Sequence, residues 1–244
     1  MYHNGSTDAR SVRSLMQFSL SPLATLEGLQ KMEPAFRDIQ QFLLSLEPPK
    51  YPLPVDEAKA RRGEGVFKRH CASCHGMPGP GQPYPNKIID LETIGTDPIR
   101  AIGIQERARE HYVKTWFGQE RDAHGQPLKY AINHGYQAPP LDGVWATAPY
   151  FHNGSVPTVY DVLNSASRPA RFTRSYRTDQ SEYDPVKLGW KVTLVGETPT
   201  SLSAIDRRRI YDTSLPGRGN QGHTFGDDLT DEERWAVVEY LKTK

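Results

Sequence analysis

The two cysteines of this chain stand within one five-residue stretch, Cys71-Ala72-Ser73-Cys74-His75. A C-x-x-C-H run reads as a covalent attachment site for a c-type haem. Two thiols three residues apart, on one turn of helix, reach the two vinyl groups of a porphyrin. The next residue then sets its imidazole under the ring as the proximal iron ligand. Other uses of paired cysteines fit poorly. A redox disulfide of this spacing wants a thioredoxin-like βαβ context, which is missing around it. A zinc site needs two more ligands at metal spacing, and no third cysteine or second histidine pair supplies them.

Composition explains why such a chain would want a macrocycle at its centre. The 244 residues include 20 Gly and 20 Pro, and mean hydropathy is −0.66. A chain of that kind holds much of its mass in loops. Burying a haem removes on the order of several hundred Å² of apolar surface from water, which at ~25 cal/mol per Å² can organise a loop-rich shell. Lys+Arg 30 against Asp+Glu 29 leaves a net charge of +1, so no basic excess points to nucleic acid. No apolar run is long enough for a membrane span.

Two helices frame the motif. Asp56 can cap a helix that runs through Val66 and Phe67 to His70 and into Cys71, with Val66 and Phe67 placed to pack on the haem. Near the end of the chain, Thr230 and Glu233 form a capping box, and Trp235, Val238 and Leu241 recur as one apolar face. The expected fold is mainly α: a cytochrome c-type haem domain of few helices and long loops, spanning 56–244 and binding one haem c. A Pro-rich linker, 48–55, precedes it. Upstream, Phe36, Ile39, Leu43 and Leu46 mark an amphipathic helix ended by Pro48.

An internal repeat bears on residues 1–47. Tyr2-His3-Asn4-Gly5-Ser6 returns as Phe151-His152-Asn153-Gly154-Ser155, and each copy is followed by a terminal helix. Residues 1–47 therefore read as the C-terminal remnant of a first cytochrome c-like domain whose haem-binding part is missing. Haem attachment of this type takes place outside the cytoplasmic membrane, so the expected location is periplasmic or secreted. The polar start Met1-Tyr2-His3-Asn4 has no leader character, and the reading is that a leader was lost by truncation together with the first domain.

At this point the residues carry a family resemblance. The run from Gly135 to Thr158, with Ala148-Pro149-Tyr150-Phe151-His152-Asn153-Gly154-Ser155 inside it, resembles the bacterial di-haem cytochrome c peroxidase superfamily. Ile94-Gly95-Thr96-Asp97-Pro98 and Gly222-His223-Thr224-Phe225-Gly226 are more similar to its rubber-oxygenase-like branch. The resemblance covers 56–244 well and 1–47 loosely. It implies two haem domains in tandem, one reacting with peroxide or oxygen and one relaying electrons, with this chain holding the C-terminal haem. The chain departs from the family in lacking an N-terminal C-x-x-C-H, so no catalytic residue carries over. Asn153-Gly154, framed by Pro149 and Pro157, reads as a turn, with His152 bonded inside it; Trp145, Tyr150 and Phe151 read as core aromatics around the haem.

The distal iron ligand is narrowed by elimination. Of the four methionines, Met1, Met16 and Met32 lie in the incomplete first domain, and Met77 is tied to the proximal side by His75. A histidine is left, from His111, His124, His134, His152 and His223. His223 stands between glycines just before the terminal helix, where backbone can approach a haem closely. The resemblance points to the same residue, with His134 as the alternative. Two strong ligands make an electron-transfer haem, the relay half of a di-haem oxidoreductase. The alternative is a peroxidase or oxygenase acting on peroxide or O2 at an open haem face, and a remnant without haem is the third reading. The expected partner is a redox protein or the missing N-terminal haem domain. Protein exported with cytochrome c maturation machinery should keep its haem through acid–acetone extraction and gain the mass of one haem. Release of the haem by that extraction would contradict covalent attachment.

Overall fold

The structure, a computed structural model, describes residues 12–20, 23–79, 81–103, 106–121, 125–127, 135–197 and 201–244. The first copy of the repeat, Tyr2 to Ser6, lies outside them. In chain order the first helices are α1 (Val12–Leu20), α2 (Leu26–Lys31), α3 (Glu33–Ser45), α4 (Glu57–His70) and α5 (Ala72–His75). They are followed by α6 (Leu91–Ile94), α7 (Ile99–Ile102), α8 (Glu106–Val113), α9 (Val159–Leu163), α10 (Ala204–Arg209) and α11 (Asp231–Leu241). The strands are short: β1 (Ile88–Asp90), β2 (Gly135–Gln137), β3 (Arg171–Thr173), β4 (Tyr183–Asp184), β5 (Gly189–Trp190), β6 (Thr193–Leu194) and β7 (Tyr211–Asp212). About 44% helix with 10% strand is a mixed fold, where the sequence led us to expect a mainly α one. The strands escape a sequence reading because each has two or three residues, too few to show a period-2 pattern.

The chain divides into two compact units. One combines Met1–Glu47 with Ala101–Gln137, the other Pro48–Arg100 with Ala138–Lys244. The first break falls at the Pro-rich stretch. The segment 101–137, which a linear reading leaves inside 56–244, groups instead with the residues before that break. In this unit Leu29, Phe36, Tyr112 and Phe117 form the core. Ser14, fully buried, shares a hydrogen bond with the Tyr112 hydroxyl and donates to the Phe117 carbonyl at 2.6 Å. Arg13 is paired with Glu33 and, at 2.6 Å, with Glu120. The apolar face expected on α3 is only partly used. Phe36 is buried, while Ile39, Leu43 and Leu46 are exposed.

The second unit is built on the crossing of α4 and α11. Asp56 caps α4 by accepting from the Lys59 amide at 2.9 Å, and the Thr230–Glu233 capping box opens α11. The two helices meet at Gly63. A side-chain carbon there would collide with the Ala236 carbonyl and come within 2.9 Å of the Val237 nitrogen. Val66 and Phe67 are buried beside this crossing with Val237, Val238, Tyr240 and Leu241, and Cys71 packs against the same cluster. Glu239 of α11 accepts from the Asp56 amide at 2.7 Å and pairs with Lys242, also at 2.7 Å, tying one helix end to the other. The single apolar stripe expected on α11 is wider in the structure: Ala236 through Leu241 are all buried. The reason is that α11 packs on α4 and on α9, so no side of its second half meets water. Trp235 instead stacks on Tyr160 of α9 with ring centres 4.2 Å apart.

The rest of this unit is loop with small antiparallel pairings. β3 lies between β6 and β7, with Phe172 opposite Leu194 on one side and Tyr211 on the other. β4 pairs with β5. The helix crossing gives a direct test. Gly63→Val should destabilise the haem-loaded protein by about 2–3 kcal/mol, the scale of forced overpacking. Gly65→Ala, on an open stretch of the same helix where the nearest atom is 3.6 Å away, should stabilise it slightly, by about 0.5–1 kcal/mol. Thermal denaturation of both variants checks the pair; equal melting temperatures would contradict the close crossing.

Candidate functional site

Helix α4 delivers the motif. The Cys71 amide donates to the Phe67 carbonyl at 2.8 Å, and the Cys74 and His75 amides return to the Cys71 carbonyl at 3.1 and 3.0 Å. Both cysteines are free thiols and half-buried on this turn. Burial, then the neighbouring Cys74, pushes the Cys71 thiol up to about 11. His75 Nδ1 lies 2.7 Å from the Pro139 carbonyl oxygen. A carbonyl can only accept, so Nδ1 carries the proton and donates. Nε2 is left with its lone pair for a metal, the usual arrangement of a ligating histidine. The acceptor is itself held in place: the Ala138 amide donates to the Lys87 carbonyl at 3.0 Å, and the Tyr84 hydroxyl donates to the Ala138 carbonyl. Burial keeps the His75 imidazole below its ordinary pKa, partly opposed by the Pro139 carbonyl. The neutral ring that results is the ligating form.

A second imidazole faces the first. The ring centres of His75 and His223 are 6.3 Å apart. Two metal–imidazole bonds of about 2 Å, with about 1.1 Å from each nitrogen to its ring centre, require roughly 6.2 Å. The spacing leaves room for a metal ion between the two rings, and it also lies within the range of ordinary ring packing. His223 is pushed down to about 4, chiefly by burial and then by His75, so it too is neutral. Its Nδ1 is buried with no hydrogen-bond partner among the described residues.

The backbone under His223 is built to hold it there. His223 has φ +47° and Gly222 φ +75°, both left-handed. A side chain at Gly222 would run into the backbone of Ile94, Gly95 and Thr96, so only glycine lets the two loops touch. The His223 amide donates to the Ile94 carbonyl at 2.6 Å. Asp97, buried in the same loop, accepts from the Gly219 amide at 3.1 Å and from the Ile99 amide at 3.0 Å. Arg168 reaches in from the other side. Its guanidinium donates to the carbonyls of Asn220, Gly222 and His223 at 2.8, 2.7 and 3.1 Å, and to those of Asp161 and Val162 at 2.9 and 3.1 Å. It also lies 5.0 Å from the centre of the Phe151 ring. Phe151 and Phe225 flank the His223 ring, centre to centre 5.9 and 5.1 Å.

Several histidines weighed from the sequence are not brought here. His111 is exposed on α8. His152 lines a separate pocket. His124 and the alternative ligand His134 lie outside the described residues. Met77 packs against the helix-crossing core. Asn153, the centre of the predicted turn, accepts from the Ser155 amide at 3.2 Å and donates to the Gly219 carbonyl at 2.8 Å, so the segment is structural as read. Trp145 and Tyr150 are partly buried against the core cluster of the helix crossing. Sequence reasoning missed Pro139 and Arg168, which act through a carbonyl and across a long separation and leave no local signal. Among the described residues no group of three or more His, Cys, Asp or Glu gathers as a metal cluster. Two facing neutral imidazoles and two adjacent free thiols fit a haem c.

Comparisons with known proteins agree. A family model described as RoxA-like, cytochrome c-like matches residues 135–173, and one described as cytochrome c oxidase, cbb3-type, subunit III matches residues 58–140. The chain is 32% identical over 247 residues to the uncharacterized protein y4iM of Sinorhizobium fredii, covering 84% of this chain and 53% of that protein. It is 28% identical over 310 residues to the uncharacterized protein y4iJ of the same organism, covering 97% of this chain and 49% of that one. The chain spans about half the length of the curated relatives it matches. The cofactor implied is covalently bound haem c.

Arg168→Lys tests the support of the distal loop. A single ammonium cannot serve five carbonyls in a planar fork. Amide hydrogen exchange should rise about tenfold or more at Gly222 and His223, reporting the loss of more than 1.4 kcal/mol of local stability, while α4 and α11 stay protected. Unchanged exchange at those two amides would show that Arg168 does not hold the loop.

Proposed function

We propose that this chain is a RoxA-like cytochrome c domain that relays electrons, in which Cys71, Cys74, His75 and His223 would hold one haem c. Cys71 and Cys74 are the thioether residues, His75 is the proximal ligand and His223 the distal one. The observation that carries this reading is the 6.3 Å between the His75 and His223 rings. Haem c supplies a one-electron Fe(III)/Fe(II) couple when bound. Everything else is the work of this chain's own residues.

His75 is oriented by the Pro139 carbonyl, which fixes the tautomer and raises the basicity of Nε2. His223 is held in its left-handed conformation by Gly222, Arg168 and Ile94, which fixes the backbone that presents its ring. Phe151 and Phe225 shield the distal imidazole. If His75 and His223 both held the iron, no position would be left for peroxide or O2, and the reading is therefore relay over the peroxidase or oxygenase alternative. A relay needs a second redox centre, and we assign that role to a redox partner or a further haem domain of a di-haem oxidoreductase. The site of action would be outside the cytoplasm, where cytochrome c domains usually work. No helix among the described residues is long and apolar enough to cross a membrane.

Haem-loaded wild-type protein should be six-coordinate and low-spin in both oxidation states and should not bind carbon monoxide when reduced. His223→Ala should convert to a high-spin spectrum and begin to bind it. A variant that stays six-coordinate and low-spin would remove His223 from the role and make His134 the next residue to replace. A wild-type protein that binds carbon monoxide readily would favour the open-face alternative.

A further inference from the structure

The second unit holds a pocket of about 710 Å³ that the haem site does not use. Its lining includes Arg100, Arg174, Arg208, Arg209 and Arg218 and no carboxylate. A lining drawn at random from this chain would hold about as many acids as bases, since the whole chain carries a net charge of only +1. Like charges gathered around a concavity repel one another, and low-dielectric walls focus their field into it. Arg100, Arg174, Arg208 and Arg209 are exposed, so water screens their mutual repulsion, and the cluster leaves a local positive potential open to an anion.

The guanidiniums are also positioned. Arg174 lies over the Trp190 ring at 3.5 Å from its centre, Arg218 at 5.6 Å from that of Tyr211, and Arg209 at 5.8 Å from that of Tyr176. Stacking on an aromatic face leaves the in-plane N–H groups free to point at a ligand, the geometry that suits forked recognition of carboxylate or phosphate. Among the described residues one of these groups has an ion-pair partner, Arg209 with the exposed Asp206 at 4.0 Å, which water screens, and the buried Asp97 carboxylate also acts on Tyr211 of the lining. The pocket has a rigid apolar floor. Phe172 and Tyr211 stack 5.1 Å apart at 10° on the paired strands β3 and β7, with Ile210 buried beside them. Asn153 in the wall donates to the Gly217 and Gly219 carbonyls at 3.3 and 2.8 Å, so the pocket borders the loop that leads to His223.

We propose that this pocket binds a small organic anion carrying at least two carboxylate or phosphate groups on a flat or apolar body. The volume of about 710 Å³ falls in the range of small-molecule sites, and the pocket is broad and open to solvent on one side. The charged groups meet the arginine forks, and the flat body lies on the aromatic floor. The proposal stands apart from the axial ligation of the iron and would survive its failure.

Titration calorimetry of the haem-loaded full chain tests it, with phthalate as the flat dianion and phthalamide as its neutral counterpart. Phthalate should bind at one saturable site, more weakly at high salt, and phthalamide should not bind. Replacing two exposed arginines together, Arg174→Gln with Arg208→Gln, should weaken phthalate by about tenfold or more while the haem spectrum and melting temperature stay as in the wild type. The proposal is overturned by the absence of saturable binding up to millimolar phthalate, by equal binding of phthalamide, or by a folded double variant that binds as well as the wild type. It is overturned as well if a poly-glutamate peptide binds in an arginine-dependent way and phthalate does not, which would make the face a protein-docking surface.

Discussion

Two imidazoles from distant parts of the chain, His75 and His223, stand 6.3 Å apart, and most of the second unit can be understood as keeping them there. Uncharged rings with lone pairs do not attract one another across such a gap. The distance is set by what holds each ring from behind. On the proximal side that is a turn of helix fused to α4, with the Pro139 carbonyl on Nδ1. On the distal side it is a loop bent through two left-handed residues and seated on the Ile94–Asp97 segment.

The two supports differ in kind. The proximal one is covalent continuity with a helix whose partner, α11, passes so near that only glycine fits at position 63. Its rigidity comes from apolar burial around Phe67, Val237 and Tyr240. The distal support is polar. Arg168 is removed from water far enough to lower its pKa, and its charge is compensated by five backbone carbonyls together with the nearby Asp227 and Asp161 carboxylates. Losing one partner of such a network leaves buried groups unsatisfied, so it behaves as a single unit. A network of that sort fixes geometry more than it adds stability, which is what an axial ligand on a loop requires.

Much of this could be read from the sequence, and the limits have physical reasons. The haem motif, the two capped helices and the candidacy of His223 all rest on local patterns: fixed spacing, cap residues, glycines flanking a histidine. Arg168 carries no pattern, because a guanidinium that gathers carbonyls from residues 161 to 223 is defined only by the folded chain. Pro139 lies inside the family-like stretch 135–158, but its carbonyl is a backbone group and invisible to side-chain reasoning. The assignment of 101–137 to the unit of the N-terminal helices depends on packing around Tyr112 and Phe117, which only the folded chain defines. The two- and three-residue strands lie below the length at which alternation can be seen, which is why a mixed fold read as mainly α.

The central claim is that one iron is held between two histidines. Pulsed EPR on the ferric, haem-loaded protein labelled with 15N-histidine addresses it directly, because only nitrogens bound to the iron couple strongly to its unpaired electron. The account predicts two coupled axial imidazole nitrogens, reduced to one in a His223→Ala protein. Coupling to a single histidine in the wild type would contradict it.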